Sequence, residues 1–319
     1  MKNSIAADLK ERHGIVCTKI TPVSGGWLNE KWKVSTNKGE LLIKQFSMER
    51  FSRERLEVIE TALQRQVMLR DSGVLCPFIL QSEGKIIHWA NDEPYMVMEF
   101  MSGEVKKAEN ITLAQMRSLG TSCAVMHKAF SEIPEPADKA LPVFGGYSLD
   151  LLWEHFNSHK KKCQEDTDTE YRNALLTLEP ILKQLDQAFF DKFSKGFTHE
   201  DIQTGNILFS ENAVSAIIDF DRNCYSYTWH DIGRAILSFA LDGDTLNTEK
   251  VQAFIDGYSQ HLPLTLSDIA DALRISWCIE AVWWIQPEFF GECSEIAKRF
   301  KEEVVWLTKN WFDLDFVFN

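Results

Sequence analysis

The chain has 319 residues, 45% of them hydrophobic, and a formal net charge of -13. That is enough for one large or two ordinary domains around a substantial core, and it excludes a compositionally disordered chain. The acidic balance argues against nucleic acid as a partner, because binding a phosphate backbone needs a basic surface. Seven dispersed cysteines read as reduced thiols, and MKNSIAADLKERHG lacks the apolar core of a secretory signal. No apolar run approaches the roughly 20 residues that span a bilayer, so a cytoplasmic protein with no membrane partner is expected.

Residues 4–12 read as a short polar helix and residues 15–20 as a strand. Ser24-Gly25-Gly26 precedes a second strand at 30–34. A glycine pair there permits close backbone approach, although an ordinary hairpin turn reads the same way. After the turn Asn37-Lys38-Gly39-Glu40, strand 41–46 carries Lys44 among apolar neighbours. Alone, Lys44 is better explained as a snorkelling side chain than as a phosphate ligand; its place one hairpin after the glycine pair and before a long helix reverses that. Residues 49–70 have helical periodicity, with Leu56, Ile59, Leu63, Val67 and Leu69 near one face and Glu57 and Glu60 among the polar positions. Residues 74–79 and 84–89 read as strands, and 93–100 as another that runs into Gly103.

Beyond Gly103 the pattern turns helical. A helix at 112–130 ends near Met126-His127, and a loop rich in proline, glycine and acids follows at 131–148. His155 and His159, four apart on a helix at 151–162, have zinc-binding spacing. They lack a third ligand or a general-base motif and read as structural. A long amphipathic helix at 168–193 is expected to break near Pro180.

The stretch FTHEDIQTGNILFSENAVSAIIDFD, residues 197–221, carries the chemistry. Turn residues between short β-branched and aromatic runs predict a hairpin of strands at 207–209 and 214–218. It sets His199 and Asp201, then Asn206, then Asp219 and Asp221 at strand ends. Phosphoryl transfer needs one carboxylate to orient the attacking hydroxyl, and an amide oxygen with a second carboxylate to hold magnesium against phosphates. Residues 222–227 read as a loop and 229–240 as a helix starting near Asp231. Three or so helices complete the chain, with Trp277, Glu280, Trp283 and Trp284 on one of them. No long activation segment or Ala-Pro-Glu motif follows Asp221.

HEDIQTGN followed by IIDFD resembles the aminoglycoside phosphotransferase and choline kinase family, the small-molecule branch of the protein-kinase-like fold. The resemblance implies an α+β protein of two lobes: a small β-rich nucleotide-binding lobe over residues 1–101, and a larger, mainly helical lobe over 102–319 with the catalytic loop and acceptor site. It implies an enzyme that moves the γ-phosphoryl of ATP, with Mg2+, to a hydroxyl of a small molecule such as an aminoglycoside, amino alcohol, homoserine or sugar. Asp201 is then the catalytic residue, and Asn206 and Asp219 are the metal ligands. Lys44, steadied by Glu60, would fix the phosphates, and amides at Gly25 and Gly26 would close over them. Backbone groups at Glu99, Phe100 and Met101 would meet the adenine. Asp231 would support the catalytic loop, and His127 would pack or bond. Glu200 departs from the family, which usually has a small residue there; an extra carboxylate near the metal would repel nucleotide or recruit cation. A protein-directed or spore-coat-type relative and a non-catalytic nucleotide-binding scaffold are the alternatives. The missing activation segment disfavours the first, and the intact Lys44, Asp201, Asn206 and Asp219 disfavour the second.

Overall fold

The computed structural model describes residues 3–23, 29–136, 148–163 and 169–317. In chain order its main elements begin with α1 (Asn3–His13), β1 (Cys17–Pro22), β2 (Asn29–Thr36), β3 (Gly39–Phe46), α2 (Arg53–Asp71), β4 (His88–Ala90) and β5 (Glu93–Glu99). Then come α3 (Leu113–Ser131), α4 (Leu149–Cys163), α5 (Thr169–Leu176), α6 (Leu178–Leu182), α7 (Gln187–Asp191), β6 (Lys195–Thr198), β7 (Ile207–Phe209), β8 (Val214–Ile217) and β9 (Cys224–Tyr227). Helices α8 (Trp229–Ala240), α9 (Thr248–Tyr258), α10 (Leu266–Trp284) and α11 (Glu295–Asn310) follow. The chain divides into two units. One takes residues up to Glu104 with Asn206–Ser210 and Val214–Arg222; the other takes Val105–Gly205, Glu211–Ala213 and the residues from Asn223 on. The architecture is α+β.

The first unit is built on an antiparallel sheet of order β1-β2-β3-β5-β4. Side chains alternate faces along each strand. Trp32, Val34, Ile43, Tyr95 and Val97 therefore pack with Ile5 and Leu9 of α1, while Phe46, Met96 and Met98 pack with Leu56, Ile59 and Leu63 of α2. Each such fully buried aliphatic side chain contributes roughly 2 kcal/mol. Lys44 alternates onto the α2 side. Helix α2 starts later than the pattern at 49–70 suggested, because Ser52 caps it by accepting the amide of Arg55.

Residues 74–79, expected as a strand, are irregular apart from a single bridge at Ile79. Pro77 has no N–H for a ladder. The neighbouring carbonyls go instead to α2: Arg70 donates to Cys76 O at 2.8 Å and Gln66 to Pro77 O at 3.0 Å. The strand expected at 84–89 shortens to β4. The hairpin β7–β8 forms as expected, with Ile207 opposite Ile217.

In the second unit, Thr112 and Gln115 form a capping box that opens α3. The helix expected at 168–193 is three short ones, and Pro180 sits in the first turn of α6, where a missing N–H costs little. Residues expected as a loop at 222–227 instead include β9, which pairs with β6 from Lys195–Tyr227 to Thr198–Cys224. Helices α3 and α9 meet through two glycines. A Cβ at Gly120 would stand 2.0 Å from Phe254 O, and one at Gly257 would stand 1.9 Å from Arg117 O. These neighbours are backbone atoms and cannot yield by rotation. Gly257→Ala therefore forces the helices apart and is expected to cost about 3 kcal/mol. Chemical denaturation reads this directly; a midpoint equal to the parent's would refute the close approach.

Candidate active site

Within the first unit, charge collects beneath the sheet. Lys44 is 2% exposed. Its Nζ donates to Asp219 Oδ1 at 2.7 Å and Asp221 Oδ2 at 2.5 Å. Lys31 on β2 stands directly opposite Lys44 in the ladder, and its Nζ donates to the other oxygen of Asp219, Oδ2, at 3.3 Å. Burial pulls Lys44 down, but the charges of Asp219 and Asp221 outweigh it and hold the ammonium above its ordinary value. Asp219 is held below the usual carboxylate range: burial opposes this, and Lys44 and Lys31 overcome it. Asp221 is pushed up by burial, with the charge of Asp219 adding to the rise against Lys44.

The expected pairing of Lys44 with Glu60 is corrected here. Glu60 spends both carboxylate oxygens on the amides of Ile86 and Ile87, each at 2.8 Å, and so pins the segment leading into β4. Glu57, the other candidate, is exposed. The carboxylates that hold Lys44 come from beyond β8.

Asn206 is buried, and its carbonyl accepts the amide of Ile218 at 2.9 Å. That bond sets Asn206 beside the residue preceding Asp219. Asp219 has φ +68°, a left-handed backbone uncommon for a non-glycine residue and frequent at functional sites. Asn206 and Asp219 offer hard oxygen donors of the kind magnesium takes, so the residues fit that ion.

The loop that carries Asp201 lies in the second unit and hangs from Asp231, which is fully buried at the start of α8. Asp231 Oδ2 accepts the amide of His199 at 2.7 Å, and Oδ1 accepts that of Glu200 at 2.9 Å. His127 Nε2 also reaches Oδ2, at 3.1 Å, which leaves Nδ1 to accept from the Tyr258 hydroxyl at 2.8 Å. Burial raises Asp231, but the His127 bond and the backbone amides prevail and keep it below its ordinary value. The Asp201 amide donates to His199 Nδ1 at 3.3 Å. Glu200 is bent to φ +65° and buried, and it accepts from Thr198 Oγ1 at 2.8 Å. Its carboxylate is thus engaged within the fold.

Sequence reading missed Arg299. From α11 its guanidinium donates to Thr204 Oγ1 and, at 3.3 Å, to Gln203 Oε1, which also accepts the Gly205 amide at 2.8 Å. Behind it Arg234 is buried and bonds Glu303 at 2.7 Å. Charged residues at helical spacing read as a solvated face, so only the packing of α8 against α10 and α11 reveals these pairs.

Gly25 and Gly26 lie outside the described residues. At the end of β5 the Glu99 amide donates to Phe78 O at 2.8 Å and the Phe100 amide to Glu40 O at 3.3 Å. The Met101 amide has no acceptor among the described residues. His155 and His159 stack at 4.3 Å between ring centroids and bond Ile285 O and the Tyr171 hydroxyl respectively. No cluster of three His, Cys, Asp or Glu side chains that could hold a metal ion exists among the described residues. The seven cysteines carry free thiols, and no described helix is long and apolar enough to cross a membrane.

A sequence model of the phosphotransferase enzyme family (APH) matches residues 19–264. A homoserine kinase of Rhodopseudomonas palustris (strain BisA53) is 25% identical over 255 residues, covering 79% of this chain and 73% of that protein. A spectinomycin phosphotransferase, APH(9)-Ia, solved with ADP and spectinomycin, superposes with a TM-score of 0.62 at 16% identity, over 99% of this chain and 98% of that one. An amicoumacin kinase solved with AMP-PNP, Ca2+ and Ami gives a TM-score of 0.62 at 17% identity, over 97% of this chain and 96% of that one. The fold is the protein-kinase-like fold of these enzymes. With the family's motifs standing at His199 to Asn206 and at Ile218 to Phe220, the chain belongs to the phosphotransferase enzyme family and is a small-molecule kinase.

Proposed function

We propose that this enzyme transfers the γ-phosphoryl of ATP, with magnesium, to the hydroxyl of a small amino-bearing acceptor, homoserine first among them. The observation that carries the nucleotide half is the convergence of Lys44, Lys31 and Asp221 around Asp219, with Asn206 brought alongside by its bond to Ile218. The ADP and AMP-PNP in the superposed structures support the same reading, as does the Ca2+ in one of them. The homoserine kinase relative supports the acceptor. Residues 1–101 act as the nucleotide-binding lobe, and 102–319 supply the catalytic loop and the acceptor site.

Asp201 accepts the acceptor's hydroxyl proton and aims its oxygen at the phosphoryl group. Its own placement comes from His199 and, through the two consecutive amides, from Asp231. Lys44 holds nucleotide phosphates while Asp221 keeps its ammonium in place. Magnesium held by Asn206 and Asp219 supplies positive charge against the transferring phosphoryl. At the end of β5 the Met101 amide is the donor open to adenine.

Acceptor-dependent ADP release tests the proposal. The panel holds homoserine, ethanolamine and choline, aminoglycosides and simple sugars, each with Mg-ATP and with Asp201→Asn as the blank. Homoserine is expected to give the largest stimulation, absent from the variant. Stimulation by a sugar or an aminoglycoside alone would discard the amino-acid acceptor and keep the kinase. A rate that no acceptor changes would discard the proposal.

A further inference from the structure

Two lysines share one carboxylate, and they share it unequally. The two-residue turn at Asn37–Lys38 closes the β2–β3 ladder so that Lys31 faces Lys44, and both sit on the strand face opposite Trp32 and Ile43. Lys44 has two carboxylates, Asp219 and Asp221, and its side chain is 2% exposed. Among the described residues Lys31 bonds the carboxylate of Asp219 alone, at the longer distance of 3.3 Å, and its side chain is 16% exposed. The four formal charges cancel.

This balance changes when Asp219 serves a divalent cation and a nucleotide brings its phosphates. An oxygen of Asp219 is then no longer available to both ammonium groups. Lys44 keeps Asp221. Lys31 bonds no second carboxylate among the described residues, although its charge is felt at Asp221, and a lysine ammonium is a compact donor on a flexible stem that re-aims at small cost. We propose that Lys31 is a second phosphate-binding lysine, which turns from Asp219 to the phosphates of the bound nucleotide while Lys44 stays anchored on Asp221. The inference rests on the nucleotide-binding reading above and adds a residue to it. It divides the labour between the lysines: Lys44 meets the phosphates from a fixed seat on Asp221, and Lys31 leaves its carboxylate to join it.

Equilibrium titration separates these roles without recourse to turnover. Wild type, Lys31→Met and Lys31→Arg are titrated with magnesium and a non-hydrolysable triphosphate analogue, and separately with adenosine. Lys31→Met is expected to weaken triphosphate binding about tenfold, the loss of one charge-assisted contact, while adenosine binding stays within about twofold. Lys31→Arg is expected to recover most of the difference. Triphosphate binding unchanged in Lys31→Met overturns the inference and leaves the nucleotide reading standing. Equal weakening of triphosphate and adenosine also overturns it, because Lys31 then merely braces the fold. A wild type that binds neither ligand overturns both readings together.

Discussion

Asp201→Asn leaves a folded chain whose turnover falls at least roughly 100-fold. The substitution is isosteric, and what holds the loop acts elsewhere: the Asp201 amide donates to His199 Nδ1, and the two preceding amides end on Asp231. An asparagine therefore inherits the position. It cannot accept the acceptor's proton, so the loss appears in kcat and leaves nucleotide affinity and thermal stability near the parent's. Steady-state kinetics beside a melting curve check this, and turnover within tenfold of wild type would remove Asp201 from its role.

Asp231→Asn is expected to cost stability as well as activity. Both oxygens of Asp231 accept, Oδ1 from the Glu200 amide and Oδ2 from the His199 amide and His127 Nε2. Whichever way an asparagine is flipped, its NH2 points at an N–H in a site with no exposure to water. One unsatisfied donor and one donor–donor clash come to about 3 kcal/mol. Glu200, held at φ +65°, then loses the bond that fixes it, and Asp201 loses its aim. Turnover should fall by about tenfold or more beyond any loss of folded protein. Denaturant midpoint and kcat, measured on the same sample, test both halves, and an unchanged midpoint would dismiss the hub. The acid limb has a definite sign. The folded-state pKa of Asp231 is depressed, so its stabilisation is present above the unfolded value near 3.9 and is lost as pH falls through the folded one.

Local chemistry was legible in the sequence where spacing along the chain carries it. Asp201, Asn206 and Asp219 stand on one hairpin and its flanks, and the hairpin announces itself by turn residues between apolar runs. Lys44 was legible as a strand lysine. Its partner was not, since the choice of Glu60 came from helix spacing, while the carboxylates it meets lie 175 and 177 residues away in the chain. Lys31 could have been found: a two-residue turn at Asn37–Lys38 fixes the register and sets it opposite Lys44. Strand β9 was illegible because its partner, β6, is more than twenty residues upstream and four residues long. Residues 74–79 looked like a strand by composition, and the side chains of Gln66 and Arg70 took the carbonyls that a ladder would have used.

The close approach of α3 and α9 at Gly120 and Gly257 bears on how this enzyme could change its substrate. His127 lies on α3 and Tyr258 on α9, so the separation of these helices sets the bond between them and, through His127, the seat of Asp231. In a mutant library selected for phosphorylation of a new acceptor, both glycines should be as intolerant of replacement as Asp201. Selection would see two indispensable positions whose contribution is a distance between helix axes, and a search for acceptor-determining residues that ranked positions by intolerance alone would place these spacers among them.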